Sequence, residues 1–272
     1  MAGPQHHPRH RPRKRFGQHF LHDPYYVGRI IAAIDPAPGE HLVEIGPGEG
    51  ALTLPLLKHI TQLDAVELDR DLIAPLQAAA EAQGAGTLRI HQADALRFDF
   101  CGELAGDGRP LRVVGNLPYN ISTPLLFHLM GQRHCVRDMH FMLQKEVVDR
   151  ITARPGEASY GRLGVMLAWY CASEALFTVP PGAFRPPPRV DSAVVRLVPH
   201  ATPPVEVDEA ALARVVSQAF AQRRKTLRNS LRTLLDADAI AACGIDPGRR
   251  PETLSLAEFA TLANAVRGAR GE

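Results

Sequence analysis

Between residues 41 and 153, short apolar runs alternate with longer stretches of helical period, and this alternation constrains the fold more than any other feature of the chain. Residues 41–45 read as a strand, 51–60 as a helix, 63–68 as a second strand and 72–83 as a second helix. Further strands are predicted at 88–91, 112–115 and 139–143, with helices at 122–130 and 146–153. Strands separated by helices run parallel, and the helices then cover both faces of the sheet. The fold class is therefore α/β. Two more extended segments, 175–179 and 192–198, are joined by the proline-rich stretch 180–189. Proline fixes φ and removes donors there, so this stretch holds its side chains in set positions.

After residue 198 the texture changes. Residues 199–207 contain three prolines and read as a linker, and beyond them only helical patterns occur, at 209–222, 226–235, 237–243 and 256–266. Ser255 precedes the last of these, with Glu258 three residues on, the spacing of a capping box. The expected division is a basic arm (1–22), an α/β domain (23–199) and a small all-helical C-terminal domain (200–272).

The net charge of +2 conceals an asymmetry: residues 1–29 carry +5, residues 211–232 carry +6, and the remainder carries −9. Two basic patches on an acidic body suit a polyanionic partner met at defined places. Solvated charge runs that only maintain solubility are the plain alternative. No stretch approaches the ~18 apolar residues of a bilayer span. The basic N-terminus has neither the apolar stretch of a secretory signal nor the serines of a presequence, so a cytoplasmic protein is expected. Cys101, Cys135, Cys171 and Cys243 lie far apart with no C-x-x-C pair, and are expected to be reduced thiols. His6, His7 and His10 have no further ligands nearby, so no metal site is expected.

Four signals carry chemistry. Glu44-Ile45-Gly46-Pro47-Gly48-Glu49-Gly50 stands between a strand and a helix, where glycines permit a sharp turn and the close approach of a ligand. Its G-x-G-x-G spacing differs from the G-x-G-x-x-G of nicotinamide-dinucleotide folds, and alone it fits any tight turn. Glu67 ends the next strand about 20 residues later, where an acid accepts hydrogen bonds from both ribose hydroxyls of a nucleoside. Asp94, just past the third strand, is placed to accept from an adenine amino group. These positions share the carboxyl edge of the sheet, where open α/β sheets bind ligands.

The fourth signal, Asn116-Leu117-Pro118-Tyr119, follows an apolar strand. Methyl transfer from a sulfonium is an in-line displacement, so the protein must chiefly position the accepting amine. An adenine amine is a poor nucleophile because its lone pair is delocalised into the ring. The Asn116 side-chain oxygen and the Leu117 carbonyl are two acceptors for its two hydrogens, favouring a pyramidal, nucleophilic nitrogen. Pro118 stiffens the turn, and Tyr119 offers a ring on which the base stacks. By itself the string is an ordinary Asn-Pro turn; its position behind the three earlier signals gives it this meaning.

The string Arg13-Lys14-Arg15-Phe16-Gly17-Gln18-His19-Phe20-Leu21 resembles the N-terminal cofactor segment of the KsgA/RsmA family, the small-subunit ribosomal RNA adenine dimethyltransferases. The glycine turn, Glu67-Leu68-Asp69-Arg70, residues 115–123, 141–147 and 180–195, and residues 222–231 are similar as well, so the likeness runs from about residue 13 to the end. One departure is His19, where many members carry Asn. The resemblance implies a Rossmann-like class I S-adenosylmethionine methyltransferase sheet with a small helical domain. It implies that His19, Leu21, Gly46, Gly48, Glu67, Asp94 and Asn116 contact S-adenosylmethionine. Asn116, Leu117, Pro118 and Tyr119 would present the target amine. Phe184 would supply a second aromatic face, although a Phe in a proline-rich loop read by itself is more often packing. The partner implied is 16S ribosomal RNA in an immature small subunit, met by a monomer. Candidate RNA contacts are Arg13, Lys14 and Arg15 in the arm, and Arg223, Arg224, Lys225 and Arg228 on a C-terminal helix.

Three alternatives share parts of this pattern. Erm-type enzymes resemble the chain but modify large-subunit RNA. A binding factor could keep the fold without turnover, against which the intact Gly46, Glu67, Asp94 and Asn116 weigh. Methyltransferases acting on DNA or on protein glutamine usually read N-P-P-Y or D-P-P-Y, whereas position 117 here is Leu.

Overall fold

The computed structural model describes residues 19–222 and 224–268. A short strand β1 (Phe20–Leu21) leads into α1 (Pro24–Ile34). Asp23 caps this helix by accepting from the Tyr25 N–H, and proline occupies its first position, where no donor is needed. The chain continues through β2 (His41–Ile45), α2 (Thr53–Leu56), β3 (Gln62–Glu67), α3 (Arg70–Gln83), β4 (Thr87–Gln92) and α4 (Phe100–Leu104). Next come β5 (Leu111–Asn116), α5 (Ser122–Gly131), β6 (Val136–Gln144), α6 (Lys145–Thr152) and α7 (Arg162–Tyr170). Strands β7 (Cys171–Val179), β8 (Phe184–Arg185) and β9 (Ser192–Pro199) follow, and then α8 (Glu209–Ala221), α9 (Leu227–Ser230), α10 (Ala237–Ala242) and α11 (Leu256–Gly268).

The sheet has seven strands in the order β4-β3-β2-β5-β6-β9-β7. The β4/β3, β3/β2, β2/β5 and β5/β6 pairs are parallel. Every residue of β2 is buried, as expected of a central parallel strand covered on both faces. Chain order runs outward from β2 to β3 and β4, then restarts on the other side of β2 with β5. The two strands at this reversal approach closely: a Cβ on Gly115 would lie 2.5 Å from the Ile45 carbonyl oxygen. β1 and β8 form a separate antiparallel pair, Leu21 opposite Phe184.

By contacts the chain divides into two units, Met1–Lys145 with Leu176–Arg196, and Glu146–Ala175 with Leu197–Glu272. This differs from the boundary near residue 200 drawn on composition. Helices α6 and α7 belong with the C-terminal helices because α7 packs on α8 and α11. Within that second unit, the buried Tyr160 hydroxyl donates to the Leu254 carbonyl at 2.7 Å. The capping box forms as expected, with the Ser255 N–H on Glu258 Oε2 at 2.7 Å and the Glu258 N–H on Ser255 Oγ at 3.3 Å.

Three expectations are corrected. The predicted helix 51–60 contracts to the four residues of α2, flanked by turns. The predicted helix 226–235 contracts to α9, so Arg224 and Lys225 stand in the turn after α8 while Arg228 is helical. Cys101 and Cys135 are joined by a disulfide, because α4 and the turn before β6 meet beside the Gln132 carbonyl; Cys171 and Cys243 are free thiols.

Candidate active site

A cavity of about 250 Å³ opens at the carboxyl ends of β2, β3, β4 and β5. This is where the strand order reverses, and where an open α/β sheet has room for a ligand between diverging connections. His19, Leu21, Gly46, Gly48, Glu67, Asp94, Asn116, Leu117, Pro118 and Tyr119 all line it. The sequence-predicted cofactor residues and the amine-presenting turn therefore share one chamber.

Gly46 and Gly48 take positive φ angles of 67° and 58°, so the turn after β2 folds back tightly; the Phe20 ring lies 3.1 Å from where a Gly48 Cβ would stand. Glu67, at the end of β3, bridges to that turn. Its Oε2 accepts from the Gly48 N–H at 3.3 Å and its Oε1 from the Asp69 N–H at 2.7 Å. Burial raises the Glu67 pKa above the ordinary carboxylate value, while these backbone donors partly offset it. Asp94 closes its own turn by accepting from the Leu96 N–H at 3.0 Å.

Glu44 was not singled out in the sequence as a site residue, yet it lines the cavity from β2. It is buried and accepts from the Thr53 hydroxyl at 2.6 Å. Burial, with the neighbouring Glu67 charge adding to it, pushes its pKa up to about 7. The signal was its place inside the glycine motif, which reads equally well as a plain strand residue.

Asn116 ends β5, and its Nδ2 donates to the His19 carbonyl at 2.9 Å. A carbonyl can only accept, so this bond fixes which end of the amide is nitrogen and leaves Oδ1 as the end available to an incoming N–H. Leu117 is buried, its N–H donating to the Met142 carbonyl at 3.1 Å, which anchors the turn to β6. The Tyr119 hydroxyl lies 2.8 Å from that of Ser192, a fully buried residue at the start of β9. Burial raises the Tyr119 pKa, so the ring stays a neutral phenol. Ser192 was invisible as a site residue in the sequence, since its contact depends on a strand 73 residues away.

Phe184 does not line the cavity. Its side chain is 2% exposed and packs in the core cluster with Leu21, Ile30 and Val194. It stands opposite Leu21 in the β1/β8 pair, and in this structure the ring is packed and not the open second aromatic face expected. Arg224, Lys225 and Arg228 are exposed; Arg13, Lys14, Arg15 and Arg223 lie outside the described residues. Among the described residues no group of three or more His, Cys, Asp or Glu is placed to hold a metal ion. None of their helices is long and apolar enough to cross a membrane.

A glycine turn after the first strand of the switch, an acid ending the next strand and an Asn-led turn after the fourth define a class I methyltransferase. Two solved structures share this fold: a dimethyladenosine transferase from Plasmodium falciparum, with TM-score 0.80, 23% identity and coverage of 93% of this chain and 98% of that one; and the 23S rRNA methyltransferase ErmE, with TM-score 0.70, 24% identity and coverage of 91% and 99%. The sequence profile of the ribosomal RNA adenine dimethylase family matches residues 9–267, and the chain belongs to that family. Among curated relatives, the ribosomal RNA small subunit methyltransferase A of Laribacter hongkongensis is 60% identical over 257 residues, covering 94% of this chain and 96% of the relative. The protein of the same name from Nitrosococcus oceani is 58% identical over 254 residues, covering 93% and 95%.

Proposed function

We propose that this protein dimethylates the N6 amines of two adjacent adenines near the 3′ end of 16S ribosomal RNA, using S-adenosylmethionine, while the small subunit is being assembled. One observation carries the reading: the acids at the strand ends and the Asn116-Leu117-Pro118-Tyr119 turn line a single cavity. S-adenosylmethionine supplies a methyl group activated on a sulfonium. The residues present fit it, because Glu67 is a buried carboxylate held by two backbone donors, beside Gly46, where an added Cβ would meet nothing within 4 Å. Glu67 would hold the ribose hydroxyls, Asp94 the adenine amino group, and Leu21, Gly46, Gly48 and the backbone at His19 the remaining surface.

The chain's own part in the transfer is orientation. In the first transfer Asn116 Oδ1, aimed by the bond from Nδ2 to His19, and the Leu117 carbonyl would each accept one hydrogen of the target amine; in the second, the one hydrogen left would be held by one of them. The lone pair then points along the line of attack, and fixing that geometry is where most of the rate comes from. Tyr119 would carry the base on its ring. One amine proton leaves after each transfer, and with Asn116 and Leu117 only accepting, it passes to solvent. Phosphate contacts would come from the exposed Arg224, Lys225 and Arg228, together with Arg223 and the Arg13, Lys14 and Arg15 arm. We place the enzyme in the cytoplasm as a monomer, acting on immature small subunits.

The test is incubation of the protein with labelled S-adenosylmethionine and unmethylated small subunits. Label in N6,N6-dimethyladenosine of 16S RNA is the expected result; label in protein, DNA or the large subunit instead overturns the proposal. Asn116→Ala should abolish labelling yet still co-sediment with subunits, which separates turnover from a binding-only role.

A further inference from the structure

Three segments far apart in the chain meet at His19. Its ring stacks on that of Tyr119, with centroids 5.6 Å apart and planes 29° from parallel. Its Nδ1 lies 2.8 Å from the Pro186 carbonyl oxygen, in the proline-rich stretch between β8 and β9. Its backbone carbonyl receives the Asn116 amide. Because a carbonyl has no proton to give, Nδ1 carries the hydrogen in the Pro186 bond. On the far side, the Tyr119 hydroxyl is tied to buried Ser192. A phenol held only at its hydroxyl can still tilt about that point. A second ring against its face, itself pinned at Nδ1, removes the tilt.

We propose that His19 is a positioning residue for methyl transfer: its imidazole backs the Tyr119 ring and fastens it to Pro186, so that the surface on which the target base stacks keeps one tilt. This rests on the reading of Tyr119 as that surface. The two contacts need different properties of the imidazole, and substitutions divide them. Phenylalanine keeps a ring for Tyr119 but has no donor for Pro186. Asparagine keeps a donor but has no ring. Alanine keeps neither.

The experiment uses full-length enzyme and unmethylated small subunits under single-turnover conditions, with calorimetric binding of S-adenosylhomocysteine measured alongside. His19→Ala should slow transfer roughly 10- to 100-fold, the range expected when a reactant loses its alignment. Its affinity for S-adenosylhomocysteine should stay within about threefold of wild type, because ground-state binding of the cofactor is not what the ring supplies. His19→Phe and His19→Asn should each recover part of the rate. In a Tyr119→Leu background, His19→Ala should cost little further, since two residues acting as one unit are non-additive.

Weakened cofactor binding with an unchanged transfer rate overturns the inference by assigning the imidazole to the cofactor; so does full additivity with Tyr119→Leu. Wild-type rates in His19→Ala overturn this inference alone. Wild-type enzyme that leaves no dimethyladenosine overturns the functional reading, and the role of His19 with it.

Discussion

Glu44 is a carboxyl kept beneath the glycine turn, where it accepts from the Thr53 hydroxyl. Its ordinary pKa of 4.5 rises to about 7 in the folded protein, chiefly through burial. Below 4.5 both the folded and unfolded chains hold the proton. Between 4.5 and 7 the unfolded chain has released it and the folded chain has not, so stability falls as pH rises through this window. The total loss is about 3 kcal/mol, and it persists at higher pH. Glu44→Gln removes the titration while leaving an oxygen for Thr53. Urea unfolding should therefore find the variant more stable than wild type at pH 8, with most of that gain gone at pH 4.5. Equal gains at both pH values would refute the assignment. The residues legible from sequence, Gly46, Glu67, Asp94 and Asn116, follow a local rule: each stands where a parallel strand ends. Ser192 and the inward ring of Phe184 obey no local rule. Both depend on which distant strand lies alongside, and a run of side chains does not encode its own partner.

The disulfide between Cys101 and Cys135 closes a loop that contains all of β5 and the Asn116–Tyr119 turn. Closing about 34 residues removes enough unfolded-state freedom for the bond to contribute about 3–4 kcal/mol. The double substitution Cys101→Ser/Cys135→Ser should lower unfolding stability by an amount of that order, and reductant should do the same to wild type but nothing to the variant. A wild-type midpoint indifferent to reductant would remove this contribution. No spacing motif announces the pair, because it is set by the meeting of two connections at one end of the sheet. Helices show the same divide. The α11 cap is written within four residues and was legible. α1 carried an Asp-Pro start that could have marked it. α7 has buried residues nearly all round, so it has no amphipathic period for a sequence to display.

At the scale of the molecule, charge is segregated between sequence regions, and the exposed cations after α8 are the part of this pattern that can be tested one unit at a time. Replacing Arg224, Lys225 and Arg228 with alanine should weaken RNA binding. It should also make the log–log salt slope shallower by about 2, since each lost phosphate contact removes roughly 0.7–0.9. An unchanged slope would return these residues to the role of solvated surface. Composition marked the change of texture near residue 200, but it could not mark α6 and α7 as partners of the helices beyond, because packing, not polarity, unites them. The β1/β8 pair has a last consequence, for biosynthesis. β1 brings His19 and Leu21 to the cavity, and its pairing partner is more than 160 residues downstream. A nascent chain exposes the glycine turn, both acids and the Asn116 turn long before β8 leaves the ribosome. Until then β1 has nothing to pair with, and one wall of the chamber is undocked. That wall can be completed only after β8 has been synthesised and has left the ribosome.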